Sequence, residues 1–161
     1  PVIVKETGCG ISASVGRRLE TAGVRAVDVS GAGGTSWVRV EQLRGDERSR
    51  ALGELFRDWG IPTAASLLQL RSTGLVRIAS GGIRNALDAC KAIALGAELV
   101  GFALPVYRAW CAGGAEGASR FVENLVEGLR VGMVLTGSAT LEDLRRAPVV
   151  IGPRLDRWRE T

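Results

Sequence analysis

The chain has 161 residues, 21 basic against 17 acidic for a formal charge of +4, and no histidine. That length suffices for one domain with a sizeable core, while the missing histidines exclude an imidazole base, a Ser-His-Asp triad and a His-based metal site within these residues. The charge is spread without a basic run, which argues against nucleic acid as a partner, and no apolar run reaches the roughly 18 to 20 residues that span a membrane.

Pro1 leads directly into VIVKET, Val2 to Thr7, an apolar run that turns polar at its C-terminal end, as a strand does on reaching a site. A strand that begins without any lead-in reads as the continuation of a longer chain. Ser12 is placed to cap a helix whose inward stripe is Val15, Leu19 and Ala22, with Gly23 stopping it. RAVDVS, Arg25 to Ser30, is the second strand. The stretch from Ser30 to Arg50 then exceeds the short turns of a βα fold, so a ligand-binding or mobile loop is expected over residues 34–48. Helical character returns near Ala51 to Phe56, and Pro62 opens a further helix packed through Ala64, Leu67 and Leu68.

LVRIAS, Leu75 to Ser80, is the third strand, followed by Gly81, Gly82 and a helix that Asn85 caps, with Leu87, Cys90 and Ala94 on one face. ELVGFA, Glu98 to Ala103, is the fourth, with Leu104-Pro105 opening another helix. A glycine-rich break at Cys111 to Gly117 precedes a long helix whose face is Phe121, Leu125, Leu129 and Met133. Thr136-Gly137-Ser138 reads as a stop and new cap before a short helix at Leu141 to Arg145. Tryptophans 59, 110 and 158 are assigned to packing.

Four strands separated by helices predict a parallel α/β sheet. An open four-stranded sheet satisfies that pattern. The extra helical material after strands two and four, with glycines after the last two strands, favours a (β/α)₈ TIM barrel in which this chain supplies strands five to eight, since barrel phosphate sites lie after strands seven and eight. Residues 1–161 are then the C-terminal half of one domain, and the N-terminal half of the same barrel is its first partner.

Three features carry candidate chemistry. In IASGGIRNALDACKAIALGAELVGFALP, Ile78 to Pro105, paired glycines and small residues at two strand ends let backbone amides approach a phosphate, with Arg84 adding charge; tight turns needing glycine only for geometry are the plain alternative. Lys5, in an apolar strand, either points a cation into a site or lies at the surface beside Glu6, which faces the other way by strand alternation. SGAGGTSW, Ser30 to Trp37, lacks dinucleotide-fingerprint spacing and is either a wrapping segment for a planar cofactor, with Trp37 as cover, or a mobile loop. Asp28 reads as an orienting carboxylate. The three cysteines, Cys9, Cys90 and Cys111, have no metal-ligand spacing and read as free thiols of a reducing compartment, with the cytoplasm as the expected location; Cys9, between two glycines at a strand end, is the one placed for reactivity.

Together VIVKETGCGIS, AVDVSGAGGTSW, DWGIPTAASL, IASGGIRNALDACKAIALGAELVGFALP and GLRVGMVLTGSATLEDLRRAPVVI closely resemble the type 2 isopentenyl-diphosphate isomerases over essentially the whole chain. The resemblance implies an FMN-dependent, Mg²⁺-requiring enzyme that interconverts isopentenyl and dimethylallyl diphosphates, with NADPH as the flavin reductant and reduced FMN moving protons through its N5 region. It also implies a homo-oligomer, a tetramer or octamer. By similarity Lys5 lies beside the flavin ring and Ser30 and Thr35 contact the flavin from the second glycine-rich loop. Gly81, Gly82 and Arg84, with Ala103 and Leu104, receive the FMN phosphate. Cys9 occupies a variable position of the family's first glycine loop, which weakens any catalytic role for it. The family's substrate-binding histidine and arginine and its Gln-Glu pair for Mg²⁺ belong to the first half, so this piece alone is expected to be inactive. The alternatives are a 2-hydroxy-acid oxidase, which would carry a base histidine in this half, and a non-catalytic α/β domain that binds a phosphorylated ligand.

Overall fold

A computed structural model describes residues 1–159. Its strands are β1 (Ile3–Lys5), β2 (Ala26–Asp28), β3 (Val76–Ala79) and β4 (Leu99–Val100), in that spatial order and all parallel. Consecutive parallel strands require helical crossovers. These are α1 (Ala13–Thr21), then α2 (Trp37–Arg44), α3 (Glu47–Leu55) and α4 (Thr63–Gln69) together, and α5 (Ala86–Ala94). After β4 come α6 (Leu104–Leu135), α7 (Leu141–Arg146) and α8 (Pro153–Asp156).

Five of the helices, α1, α2, α3, α5 and α7, start where a side chain accepts a first-turn amide that has no intrahelical acceptor. Ser12 accepts from the Val15 amide, Asn85 from Asp88, and Thr140 forms a reciprocal capping box with Asp143. The long helix α6 leaves helical geometry at Gly113 and Gly114 (φ 59°), so the glycine-rich break lies inside it as a kink.

Several expectations change. Within residues 34–48, Trp37–Arg44 form α2 and Glu47 opens α3 in place of the expected loop, because Ser36 and Asp46 act as N-caps and Gly45 ends α2. No α2 residue is buried, so its sequence carries no apolar periodicity by which a helix can be read. The helices still pack closely, since a Cβ on Gly53 would lie 2.4 Å from the Gln42 Cβ. On α1 the inward face is Ala13 and Gly16, with Leu19 beside them, whereas Val15 and Ala22 face outward. Gly16 sets that rotation: only a residue without Cβ fits against Leu70 there. Leu87 likewise points out while Cys90 is buried, and Trp59 and Trp110 are exposed.

The sheet is covered on one face. Val27, Val29 and Ala79 are fully buried there against Leu67 and Leu70, with Val4 and Val100 packed beside them. Alternate residues point the other way. On that second face Ile3, Val76 and Leu99 are 58%, 41% and 58% exposed, in register with Ala26, Asp28 and Ile78. Below the sheet, Leu129 and Met133 of α6 pack on Cys90, Ile93 and Leu144, and Phe121 meets Phe102 edge-on at 6.1 Å. Among the described residues no helix is long and apolar enough to cross a membrane.

Leu67 lies at the centre of this core with no exposed surface. Leu67→Ala is expected to lower unfolding free energy by about 2–5 kcal/mol, read from the urea midpoint of the protein carrying this chain.

Candidate functional site

The C-terminal ends of the strands open into loops that continue the parallel ladder beyond the strands themselves. The Gly10 amide donates to Ser30 O at 3.3 Å, Gly31 to Ser80 O at 3.1 Å, and Gly101 to Ala79 O at 2.8 Å. The segment after α3 returns into the same layer: the Ile61 amide donates to Cys9 O at 2.7 Å, and the Ala32 amide to Ile61 O at 2.9 Å. Thr63 then donates its hydroxyl to Ser80 O and Gly81 O at 3.0 and 2.5 Å. The WGIPT segment therefore holds all three glycine-bearing loops at one height.

Two of those loops touch backbone to backbone. Gly81 and Gly82 have φ values of 89° and 82°, in the region side chains disfavour. A Cβ on Gly81 would sit 2.2 Å from Gly31 O, one on Gly82 2.7 Å from Gly33 O, and one on Gly34 2.9 Å from Gly82 N. Ser30, just before this contact, is a non-glycine residue with positive φ (34°), and Asp28 accepts its amide at 3.1 Å. Such local strain persists only where the surroundings over-determine it.

The charged groups divide by role. Lys5 Nζ lies 2.8 Å from Asp28 Oδ2 and donates to Ser80 Oγ at 3.3 Å, while Ser80 donates to Asp28 Oδ1 at 2.6 Å. The ammonium remains half-exposed although Asp28 is mostly covered, so the carboxylate orients the lysine from beneath. Glu6 turns the other way and accepts the amides of Gly8 at 2.6 Å, Gly10 at 3.2 Å and Cys9, fixing the first glycine loop instead of pairing with Lys5. Arg84 donates to Gly82 O at 3.0 Å and Gly33 O at 2.8 Å, bridging the two glycine turns. Burial, and then the Glu6 carboxylate, push the Cys9 thiol up from its usual value, which disfavours the reactive thiolate.

One cleft of about 830 Å³ gathers these features. Lys5, Ser30, Thr35, Gly81, Gly82, Arg84, Ala103 and Leu104, the residues singled out in the sequence, all line it. Thr7, Ser80 and Arg108 line it as well and were not anticipated. Arg108 follows Leu104 by four residues, a helical spacing that offered a signal once α6 was placed. Thr63 offered none, because its role depends on a contact with a strand end seventeen residues away. The cleft's ionic lining is Lys5, Arg84 and Arg108 against Asp28. At its rim α6 begins at Leu104, after the N-cap Ala103, with no side-chain cap and no acidic residue in its first turn. Its first amides thus face the cleft without an intrahelical acceptor. Among the described residues no group of three or more His, Cys, Asp or Glu is placed to hold a metal.

Comparison with known proteins agrees with this geometry. The chain is 52% identical over 159 residues to the isopentenyl-diphosphate delta-isomerase of Methanothermobacter thermautotrophicus, covering 98% of this chain and 45% of that protein. It is 45% identical over 164 residues to the isomerase of Sulfurisphaera tokodaii, covering 98% and 44%, and 52% identical over 150 residues to that of Stutzerimonas stutzeri, covering 91% and 43%. The resemblance read from the sequence is borne out, and the chain spans less than half the length of these curated relatives. Among solved structures, mandelate oxidase carrying a monooxide FMN adduct superposes with a TM-score of 0.65 at 27% identity, over 94% of this chain and 42% of that one. Mandelate oxidase with benzoyl-formic acid gives 0.64 at 28%, over 94% and 39%. With residues 1–151 matching the FMN-dependent dehydrogenase pattern, the chain belongs to that family.

Proposed function

We propose that this chain is the strand-five-to-eight half of a (β/α)₈ barrel that binds FMN and, in the whole protein, interconverts isopentenyl and dimethylallyl diphosphates. The observation that carries the cofactor assignment is the convergence of the Gly81-Gly82 turn and the uncapped start of α6 on one cation-lined cleft. Free amides with fixed dipoles suit a phosphate. The half-barrel assignment rests on the uncovered sheet face, since parallel sheets bury both faces and the apolar Ile3, Val76 and Leu99 face the side where a barrel's inner layers would lie.

The residues present fit the cofactor. Gly81, Gly82, Ala103 and Leu104 hold the phosphate end through backbone amides, Arg84 keeps the two glycine turns together, and Ser30 and Thr35 flank the ring. Lys5, held by Asp28 and Ser80, presents a fixed cation where negative charge must be held. FMN in its reduced form supplies the proton donor and acceptor for the allylic shift. Mg²⁺, bound with the diphosphate by residues outside this chain, and NADPH as reductant complete the requirements. A homo-oligomer, tetramer or octamer, in the cytoplasm is the expected assembly. The similarity to mandelate oxidases raises a 2-hydroxy-acid oxidase as the second reading, but these residues contain no histidine to serve as its base, and the isomerases match at much higher identity.

Incubating the full-length protein with isopentenyl diphosphate, Mg²⁺ and reduced FMN is expected to give the dimethylallyl isomer; tightly bound flavin without that product would remove the isomerase reading. Lys5→Met is expected to retain flavin but to slow isomerisation on the order of 100-fold, measured as kcat at saturating substrate. Gly81→Ala, forced into the Gly31 carbonyl, is expected to purify without flavin, visible as loss of the yellow absorbance of the oxidised flavin.

A further inference from the structure

The two arginines of the cleft differ in what their side chains already do. Arg84 is committed: its guanidinium donates to the carbonyls of Gly82 and Gly33, and its own amide donates to Asp88. A fork holding two main-chain oxygens of different loops fixes their separation. Arg108 is exposed, lines the same cleft, and forms no ion pair among the described residues.

Its position on α6 determines where it reaches. Arg108 lies four residues after Leu104 and three after Pro105, so it shares the helix face that borders the cleft. Helical side chains lean toward the N-terminus and cover the preceding turn. The guanidinium is thereby carried back toward the first turn of α6, where the Leu104 and Val106 amides have no intrahelical acceptor and Pro105 has no amide at all. Tyr107 is the first amide to close a helical bond, to Ala103 O at 3.0 Å.

We propose that Arg108 is the side chain that contacts the phosphate of the bound flavin, and that Arg84 is a positioning residue which sets the glycine turns through their carbonyls. This rests on the cofactor assignment above and adds a division of labour: the backbone amides and Arg108 recognise the dianion, while Arg84 shapes the cradle for any flavin.

Riboflavin, which has the ring but no phosphate, separates the two roles. Dissociation constants for FMN and riboflavin are measured by fluorescence quenching on the full-length apoprotein and on its Arg108→Met and Arg84→Lys variants. Arg108→Met is expected to weaken FMN about 10- to 100-fold, as befits loss of a charge-assisted hydrogen bond, and to leave riboflavin within about twofold. Unchanged riboflavin affinity also shows that this variant is folded. Arg84→Lys keeps the charge but loses the fork, and is expected to weaken both flavins by similar factors. Equal FMN affinity in wild type and Arg108→Met, or parallel loss of both flavins in that variant, would overturn the role of Arg108. Selective loss of FMN in Arg84→Lys would overturn the positioning role. A wild-type protein that binds neither flavin would instead remove the underlying cofactor assignment.

Discussion

The backbone contact between Gly31–Gly34 and Gly81–Gly82 is the constraint on which the site depends. At Gly34, Gly81 and Gly82 a Cβ would run into backbone atoms of the opposite segment. Backbone groups pressed together lose access to water and must find partners. Here Gly31 donates to Ser80 O, Thr63 to Ser80 O and Gly81 O, and Arg84 to Gly33 O and Gly82 O. A rigid floor results. Its remaining free amides and cations face a single opening.

Two acidic residues near the strand ends do different structural work, and their separation follows from strand alternation. Asp28 lies in register with Lys5 on the same sheet face, so the lysine is held upright over the cleft. Glu6 is one residue further and points away, where it collects the amides of the first glycine loop. A lysine paired with Glu6 would have been drawn off the site. The mostly covered Asp28 instead keeps the cation in place without closing the opening, and Ser80 satisfies its second oxygen.

Apolar exposure on the second sheet face makes a separate point about assembly. Burying the rest of Ile3, Val76 and Leu99 would each contribute at most roughly 1.5–3 kcal/mol. β1 and β4 each also leave one edge without a strand partner among the described residues. Closure with a complementary half of a barrel, as proposed above, would meet both demands at once.

The sequence by itself determined the alternation of four strands with helices, the caps at Ser12 and Asn85, and the identity of the glycine and lysine positions that line the cleft, because these depend on local periodicity, turn chemistry and side-chain absence. It misjudged residues 34–48, since a helix with no buried face leaves no apolar period to read, and it misjudged the rotation of α1, where the fit of Gly16 against Leu70 outweighs the larger side chains. Only the tertiary structure decided which charges pair, that Arg84 bridges two loops, that Arg108 lines the cleft and that Thr63 braces it from behind. Those facts depend on which strand ends lie side by side, and that proximity arises from packing between residues far apart in the chain.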